Sequence, residues 1–491
     1  MPTESRRVLI VGPASYLGRR LVQRLLDKPD IRVRVLTRDP ARISELAGRV
    51  AEVVIGDPLD TAVLRRAVIG TEIAYFPIGL VGADGDLARR LPAFAEQFRD
   101  TCIEAGVRRT VYLGPPAGLA AVGGANQPVV DVGSILTAHP ERIQTVCLRA
   151  GLVLGPGSAL FEVICHLVRK FPLMLVPRWM NSQFGWIGLA DLLHDLVMAS
   201  EVSASGDLVA DIGPAPATVR EMVDATARKL GVRRLTLSLP VSVPRLSAGL
   251  LVLTTPLSYG LSRAFVSLLS SVRNESPPPR SAELWAAARG VSYTSLEPAL
   301  AAAIRAKELD QVSSHWTESL MGISFDEPGD DLAMATFRDV KRLTFGDIPV
   351  SRVFRAVKSI GGRRGWFRFN VLWQIRGLLD KLAGGFGSSL GRRAEEELRV
   401  GDLLDVWRVV DLQPDRRLLL MAHMNVFGKA WLEFRIEGRT LVQTAYHLPD
   451  GVMGRLYWYS MLPFHAFIFR DMIEGIVRRA RGMDDRGAPA S

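Results

Sequence analysis

The residues best placed to do chemistry come first in the chain: Gly12, Ser15 and Gly18 in VLIVGPASYLGRRLVQRLL. This stretch reads as an apolar strand, a tight turn and an opening helix. Gly12 supplies the backbone freedom of the turn, and Gly18 lets helix and strand approach closely. A helix N-terminus presents N–H groups and the positive end of its dipole, which suits a pyrophosphate. Gly12, Ala14, Ser15, Tyr16, Leu17 and Gly18 are therefore the candidate pyrophosphate loop. Two residues depart from a GxxGxxG pattern: Ser15 replaces the middle glycine, and Pro13 removes an N–H.

A second group decides which dinucleotide such a loop would take. The next strand ends in VLTRDP, with Arg38 where NAD-preferring sites place an acid for the ribose 2′-hydroxyl. A guanidinium matches a 2′-phosphate, so NADP(H) is expected over NAD(H). Asp57 and Pro58, in GDPLD, follow the third strand and are placed to meet the adenine. Phe76, Pro77 and Gly79 follow the fourth strand and would line the adenosine and ribose.

The elements that must position these residues alternate. Short β-branched runs at Arg7–Val11, Arg32–Thr37, Ala51–Ile55, Ile73–Phe76, Thr110–Leu113 and Thr145–Arg149 read as strands. Leu17–Leu26, Pro40–Leu46, Thr61–Val68 and Asp86–Ala105 read as helices between them. This order predicts a Rossmann-type, doubly wound parallel sheet. It continues with a helix at Ala159–Phe171, a strand at Phe184–Ile187, helices at Leu189–Ser200 and Thr218–Leu230, a strand at Asp207–Ile212, and a helical Leu284–Lys307. The texture then changes. A strand at Thr336–Thr344 and a helix at Val350–Ser359 precede strands at Leu403–Leu412, Leu418–Asn425, Lys429–Ile436 and Thr440–His447. A long helix over Met453–Ala480 closes the chain. This part reads as an α+β helix-grip domain around a cavity. The expected boundaries are 1–310 and 311–491.

GPASYLG, LTRDPAR, GDPLD, VYLG and LRAGLVLGPGS together resemble the atypical, NmrA-like branch of the short-chain dehydrogenase/reductase superfamily, from about Arg7 to Arg305. GGRRGW, LRVGDLLDVWRV, GKAWLEF and GRLYWYSMLPFHAFIF resemble a bacterial C-terminal domain of unknown function, similar to the polyketide-cyclase/START-like cavity superfamily. The first resemblance implies a dinucleotide-binding fold. In its active members a tyrosine and a lysine four positions later form the proton relay. Here Tyr16 is followed by Arg20, Tyr75 by Gly79, Tyr112 by Pro116 and Tyr259 by Arg263. Within QPVVDVGSIL (Gln127–Leu136), Val130 stands where the lysine is expected, and Asp131 follows. The relay is absent and no catalytic residue is assigned.

Other chemistry has little support. There is no GxSxG, HExxH or CxxC pattern. His166, His194 and Asp191 lie in the later part of the first domain, and His166, followed by apolar neighbours at helical spacing, reads as a core or capping histidine; His423, His447 and His465 are too dispersed for a metal site. Lys429, Glu433 and Arg435 alternate along one strand and share a face, a cavity wall or, as the favoured reading, the solvated side of the sheet. Trp366, Trp373, Trp431, Trp458 and the phenylalanines of the last helix read as core, or as the lining of a cavity.

Composition sets the remaining bounds. The chain has 491 residues, is 48% hydrophobic and 23% charged, and carries a net charge of +10, a folded protein of two domains or more. Its basic residues are scattered and lack a nucleic-acid motif, so no nucleic-acid partner is expected. Cys102, Cys147 and Cys165 form no disulfide framework. The apolar stretch Leu246–Leu269 is interrupted by Pro256 and Arg263, which favours a buried or surface-lying hairpin over a membrane span. The expected location is cytoplasmic, with peripheral contact at the inner membrane face left open. Two functions fit: an NADP(H)-dependent oxidoreductase acting on a hydrophobic substrate without the relay, or a non-catalytic NADP(H) sensor or scaffold. In the second, the C-terminal domain binds a lipid-like ligand or a protein partner.

Overall fold

A computed structural model describes residues 5–76, 85–115, 132–170, 173–203, 206–233, 235–239, 282–309, 332, 335–361, 398–422 and 427–483. These form two compact units, one drawn from residues 5–309 and one from 332–483.

The first unit is built on β1 (Arg6–Val11), β2 (Ile31–Thr37), β3 (Glu52–Ile55), β4 (Ile73–Tyr75), β5 (Arg109–Gly114) and β6 (Gln144–Ala150). Helices α1 (Tyr16–Leu26), α2 (Ser44–Ala47), α3 (Thr61–Val68), α4 (Gly85–Glu104) and α5 (Val132–Leu136) alternate with them. With the later β11 (Leu208–Ile212) the strands form one seven-stranded sheet, in the order β11-β6-β5-β4-β1-β2-β3. Each pairing is parallel. Val8, Leu9, Ile10 and Val11 are all buried, as a strand covered on both faces requires. Val8 and Ile10 join Leu17, Leu21, Val35 and Leu196 in the core on one face. Leu9 and Val11 join Leu36, Leu64, Phe94 and Phe98 on the other. The strand order reverses between β1 and β4, and in such sheets the crevice at this reversal, outside the carboxyl ends, receives ligands.

The rest of this unit is β7 (Leu152–Leu154), α6 (Ala159–Lys170), β8 (Leu173–Pro177), β9 (Gln183–Phe184), β10 (Trp186–Gly188), α7 (Leu189–Glu201), β12 (Ala217–Thr218), α8 (Val219–Lys229), β13 (Leu235–Leu239), α9 (Ala282–Arg289) and α10 (Leu296–Glu308). Two expectations need correction. The strand expected over Phe184–Ile187 is two strands: β9 pairs with β12, and β10 with β7. They part at Gly185, whose carbonyl packs so closely on Gly151 that a Cβ there would lie 1.9 Å away. The helix expected over Leu284–Lys307 is also two. Gly290, at φ +66°, ends α9, and Asp191 accepts from the Thr294 amide at 3.0 Å, holding the connection in place. Strands β8 and β13, not expected from the sequence, pair in parallel.

The second unit contains β14 (Phe337–Thr344), α11 (Val350–Lys358), β15 (Leu403–Leu404), β16 (Trp407–Gln413), β17 (Arg417–Ala422), β18 (Gly428–Glu437), β19 (Thr440–Pro449) and α12 (Gly451–Arg481). Its six-stranded sheet is antiparallel, in the order β14-β19-β18-β17-β16-β15. One face, with Leu343, Leu418, Leu420, Leu432, Phe434 and Leu441, packs against Val353, Phe354, Met472, Ile473 and Ile476 of α11 and α12. The strand expected over Leu403–Leu412 is a tight hairpin turning at Asp405, φ +57°, a left-handed conformation that aspartate tolerates. Glu433, expected on a solvated side, is 3% exposed. It accepts from Arg417 Nε at 2.6 Å and from the Tyr446 hydroxyl at 2.8 Å. It shares its face with Trp431, which packs with Ala335 and Leu419 in a small second core.

Candidate dinucleotide site

The geometry at the end of β1 follows from its glycines. Gly12 adopts φ +78°, the left-handed region, and its amide donates to the Leu36 carbonyl of β2 at 3.2 Å. A Cβ on Gly18 would lie 2.3 Å from the Gly12 carbonyl oxygen, so only glycine lets α1 start this close to the strand. Ser15 is the N-cap of α1. Its hydroxyl accepts from the Gly18 amide at 3.0 Å and donates to the Gly12 carbonyl at 3.0 Å. The serine that replaces the middle glycine therefore closes the turn itself. No acid lies in the first turn of α1, which leaves the positive dipole end uncompensated there.

Several loop residues can offer a cofactor only backbone. Ala14, Tyr16 and Leu17 have buried side chains. The Tyr16 hydroxyl donates to the Pro156 carbonyl at 3.1 Å, and burial pushes its pKa up to about 12. Arg20 stacks over the Tyr16 ring at 4.3 Å and donates to the same carbonyl at 3.0 Å. Arg19 is buried, pairs with Glu45 and donates to the Arg42 carbonyl at 2.7 Å. The sequence reading passed over Arg19 and Arg20. Their signal was a pair of adjacent arginines near the start of an otherwise largely apolar helix.

Arg38 leaves the end of β2 half-buried, beside Thr37, whose hydroxyl accepts from the Asp39 amide at 3.3 Å. Asp39 in turn caps the short helical turn Pro40–Ile43. Gly56 ties the neighbouring strand end to β2, its amide donating to the Thr37 carbonyl at 3.0 Å. Asp57 follows, and its Oδ1 accepts from the Leu59 amide at 3.0 Å in a side-chain turn. Gly12–Gly18, Arg38 and Asp57–Pro58 thus lie at the carboxyl ends of three adjacent strands. Phe76 is fully buried: its ring packs on Phe94 at 5.3 Å, Phe98 at 5.2 Å and Tyr112 at 5.6 Å, leaving its backbone for the site. Pro77, Gly79, Val130 and Asp131 lie outside the described residues, as do Leu246–Leu269, His423, Trp366 and Trp373.

Family models match two stretches of the chain: residues 12–135 match one described as NAD(P)H-binding. The first unit contains an NAD(P)H-binding domain. Residues 332–472 match a family described as protein of unknown function (DUF2867). Solved structures are similar to part of the chain. MoeE5 in complex with UDP-glucuronic acid and NAD is 18% identical, covering 62% of this chain and 99% of its own, with a TM-score of 0.45. Triphenylmethane reductase of Citrobacter sp. complexed with NADP(H) is 16% identical, covering 60% and 98%, with a TM-score of 0.49. UDP-glucuronic acid 4-epimerase from Bacillus cereus, in complex with UDP-glucuronic acid and NAD, is 16% identical, covering 62% and 99%, with a TM-score of 0.43. No curated protein sequence matches this chain.

A buried polar cluster that sequence reasoning missed stands elsewhere in this unit. Arg289 donates to Asp191 at 2.6 Å and lies 2.9 Å from Asp195, while the Tyr293 hydroxyl donates to Asp195 at 3.0 Å. The Arg289 guanidinium also stacks on the Tyr293 ring at 3.6 Å. Burial raises the Asp195 pKa to about 6, against the lowering effect of Arg289. Asp191 and Asp195 are one turn apart on α7, and only the fold brings Arg289 to them.

Proposed function

We propose that residues 1–310 hold NADP(H) as an atypical, NmrA-like short-chain dehydrogenase/reductase domain, and that the chain uses the cofactor for sensing or scaffolding. The observation that carries this reading is the commitment of three tyrosines of this unit. Tyr16 donates to Pro156, Tyr75 to the Leu196 carbonyl at 2.6 Å, and Tyr293 to Asp195. None of the tyrosines has a lysine four positions on. The backbone of Gly12–Gly18 would hold the pyrophosphate, Arg38 the 2′-phosphate, and Asp57 with Pro58 the adenine end. A bound nicotinamide supplies a hydride donor or acceptor, and the described side chains add no proton relay to it.

The competing reading is an oxidoreductase acting on a hydrophobic substrate. NADPH consumption with a panel of quinones and enones separates the two. The sensor reading expects saturable binding without turnover; sustained consumption overturns it.

We infer a second role for residues 311–491, as a START-like cavity domain that takes a hydrophobic small molecule. Support comes from the antiparallel sheet closed on one face by α11 and the long α12. No described helix is long and apolar enough to cross a membrane. Val452, Met453, Leu456, Tyr459, Leu462, Phe464 and Phe467 of α12 are nonetheless exposed. Arg455 and Arg470 accompany them, with no acid between Gly451 and Arg470. This favours contact with an anionic bilayer surface, which we place on the cytoplasmic side.

A further inference from the structure

The helix-covered face of the second sheet carries polar groups where its pattern calls for apolar ones. Along β14, Phe337, Asp339, Lys341 and Leu343 point inward, while Arg338, Val340, Arg342 and Thr344 are exposed. Lys341 Nζ lies 2.7 Å from Asp339 Oδ1. From α12, His465 Nδ1 comes within 3.8 Å of the other Asp339 oxygen. These three side chains keep between 15% and 29% of their exposure, so water reaches them.

Directly across from Lys341 on β19 stands Gln443, with Phe434 opposite on its other side. It is 1% exposed, and neither its amide nitrogen nor its amide oxygen has a hydrogen-bond partner among the described residues. Burying both ends of a primary amide unpaired is costly. An apolar residue of the same length would fill this position at lower cost, since Leu441 and Ala445 flank it on the same face within the apolar core. Among the described residues, then, both ends of the Gln443 amide are left open.

We propose that Gln443 reads the head of a lipophilic carboxamide bound between β14, β19 and α12. This rests on the cavity reading given above and names its ligand's chemistry. A side-chain amide sets a donor and an acceptor side by side. Its complement is a group that does the same: the ligand's carbonyl accepts from Gln443 Nε2, and its N–H donates to Gln443 Oε1. Lys341 adds a second donor for that carbonyl, and Asp339 an acceptor for the second N–H. Phe434, Leu343 and Phe469 provide apolar surroundings for the ligand's chain.

The test uses the full chain, with decanamide and methyl decanoate as probes, read by calorimetry and thermal shift. Decanamide should bind saturably and at least about 10-fold more tightly than the ester, which lacks the donor. Gln443→Met, of matching length, should erase that preference while raising the melting temperature of the free protein; Gln443→Leu serves as a second apolar variant. Equal binding of amide and ester would leave the cavity standing and overturn the head-group assignment. Binding of neither would overturn both. A preference that survives both substitutions, or a lowered melting temperature in both, would show that Gln443 serves the fold instead.

Discussion

The Ser15 hydroxyl accepts a hydrogen bond from the Gly18 amide at 3.0 Å, across the mouth of α1. The same hydroxyl donates to Gly12, so one side chain caps the helix and braces the turn. Ser15→Ala should lower stability by about 1 kcal/mol, the usual loss for an N-cap, and Ser15→Gly by only a few tenths of a kcal/mol. Gly18→Ala should be worse than either, about 1–3 kcal/mol, because its Cβ would meet the Gly12 carbonyl. Chemical denaturation of the three variants checks this order. A Gly18→Ala protein as stable as the wild type would contradict the packing.

The clasp of Arg289 with Asp191 and Asp195 predicts a loss of about 3–5 kcal/mol for Arg289→Met, since two buried carboxylates lose their cation. Thermal unfolding at pH 7 measures it; a loss below about 1 kcal/mol, the scale of an exposed pair, would show the cluster to be open to water.

Asp195 adds a pH dependence. Its pKa is raised by burial to about 6 in the folded chain and returns to about 3.9 on unfolding. Between these values the folded state holds a proton that the unfolded state has released. This contribution is full below about pH 4 and disappears as pH rises through about 6. The stability of wild type relative to Asp195→Asn should therefore fall across that window. A relative stability that rises there would mean that Arg289 outweighs burial.

For the exposed face of α12, flotation with vesicles containing phosphatidylserine should recover the protein, and raised salt should weaken the association. Leu456→Asp with Phe467→Asp should abolish it without changing the melting temperature, since both side chains are exposed. Equal recovery on neutral vesicles, or no effect of the double substitution, would contradict this.

Much of the fold was legible because its signals are local. The apolar run Val8–Val11, the glycines at 12 and 18, and the alternation that follows place β1, α1 and the parallel order directly. Thr61–Val68 is a helix with the expected ends. What was not legible depends on distant contacts. Gly151 meeting Gly185 splits a strand, Asp191 holding Thr294 divides a helix, and Arg417 with Tyr446 draws Glu433 inside. Period-two alternation also misplaced Glu433 because both faces of β18 pack: Leu432 and Phe434 on one, Trp431 on the other. At the site, residue type pointed to Tyr16 and Phe76, but their side chains belong to the core.

The central claim is that this domain holds NADP(H) through the glycine turn and Arg38. Calorimetry of NADPH and NADH against wild type and Arg38→Ala tests it most directly. A charge-assisted hydrogen bond is worth about 1.5–3 kcal/mol. NADPH affinity should therefore fall by about 10- to 150-fold, while NADH affinity changes little. Equal losses for both cofactors, or no saturable NADPH binding to the wild type, would contradict the account.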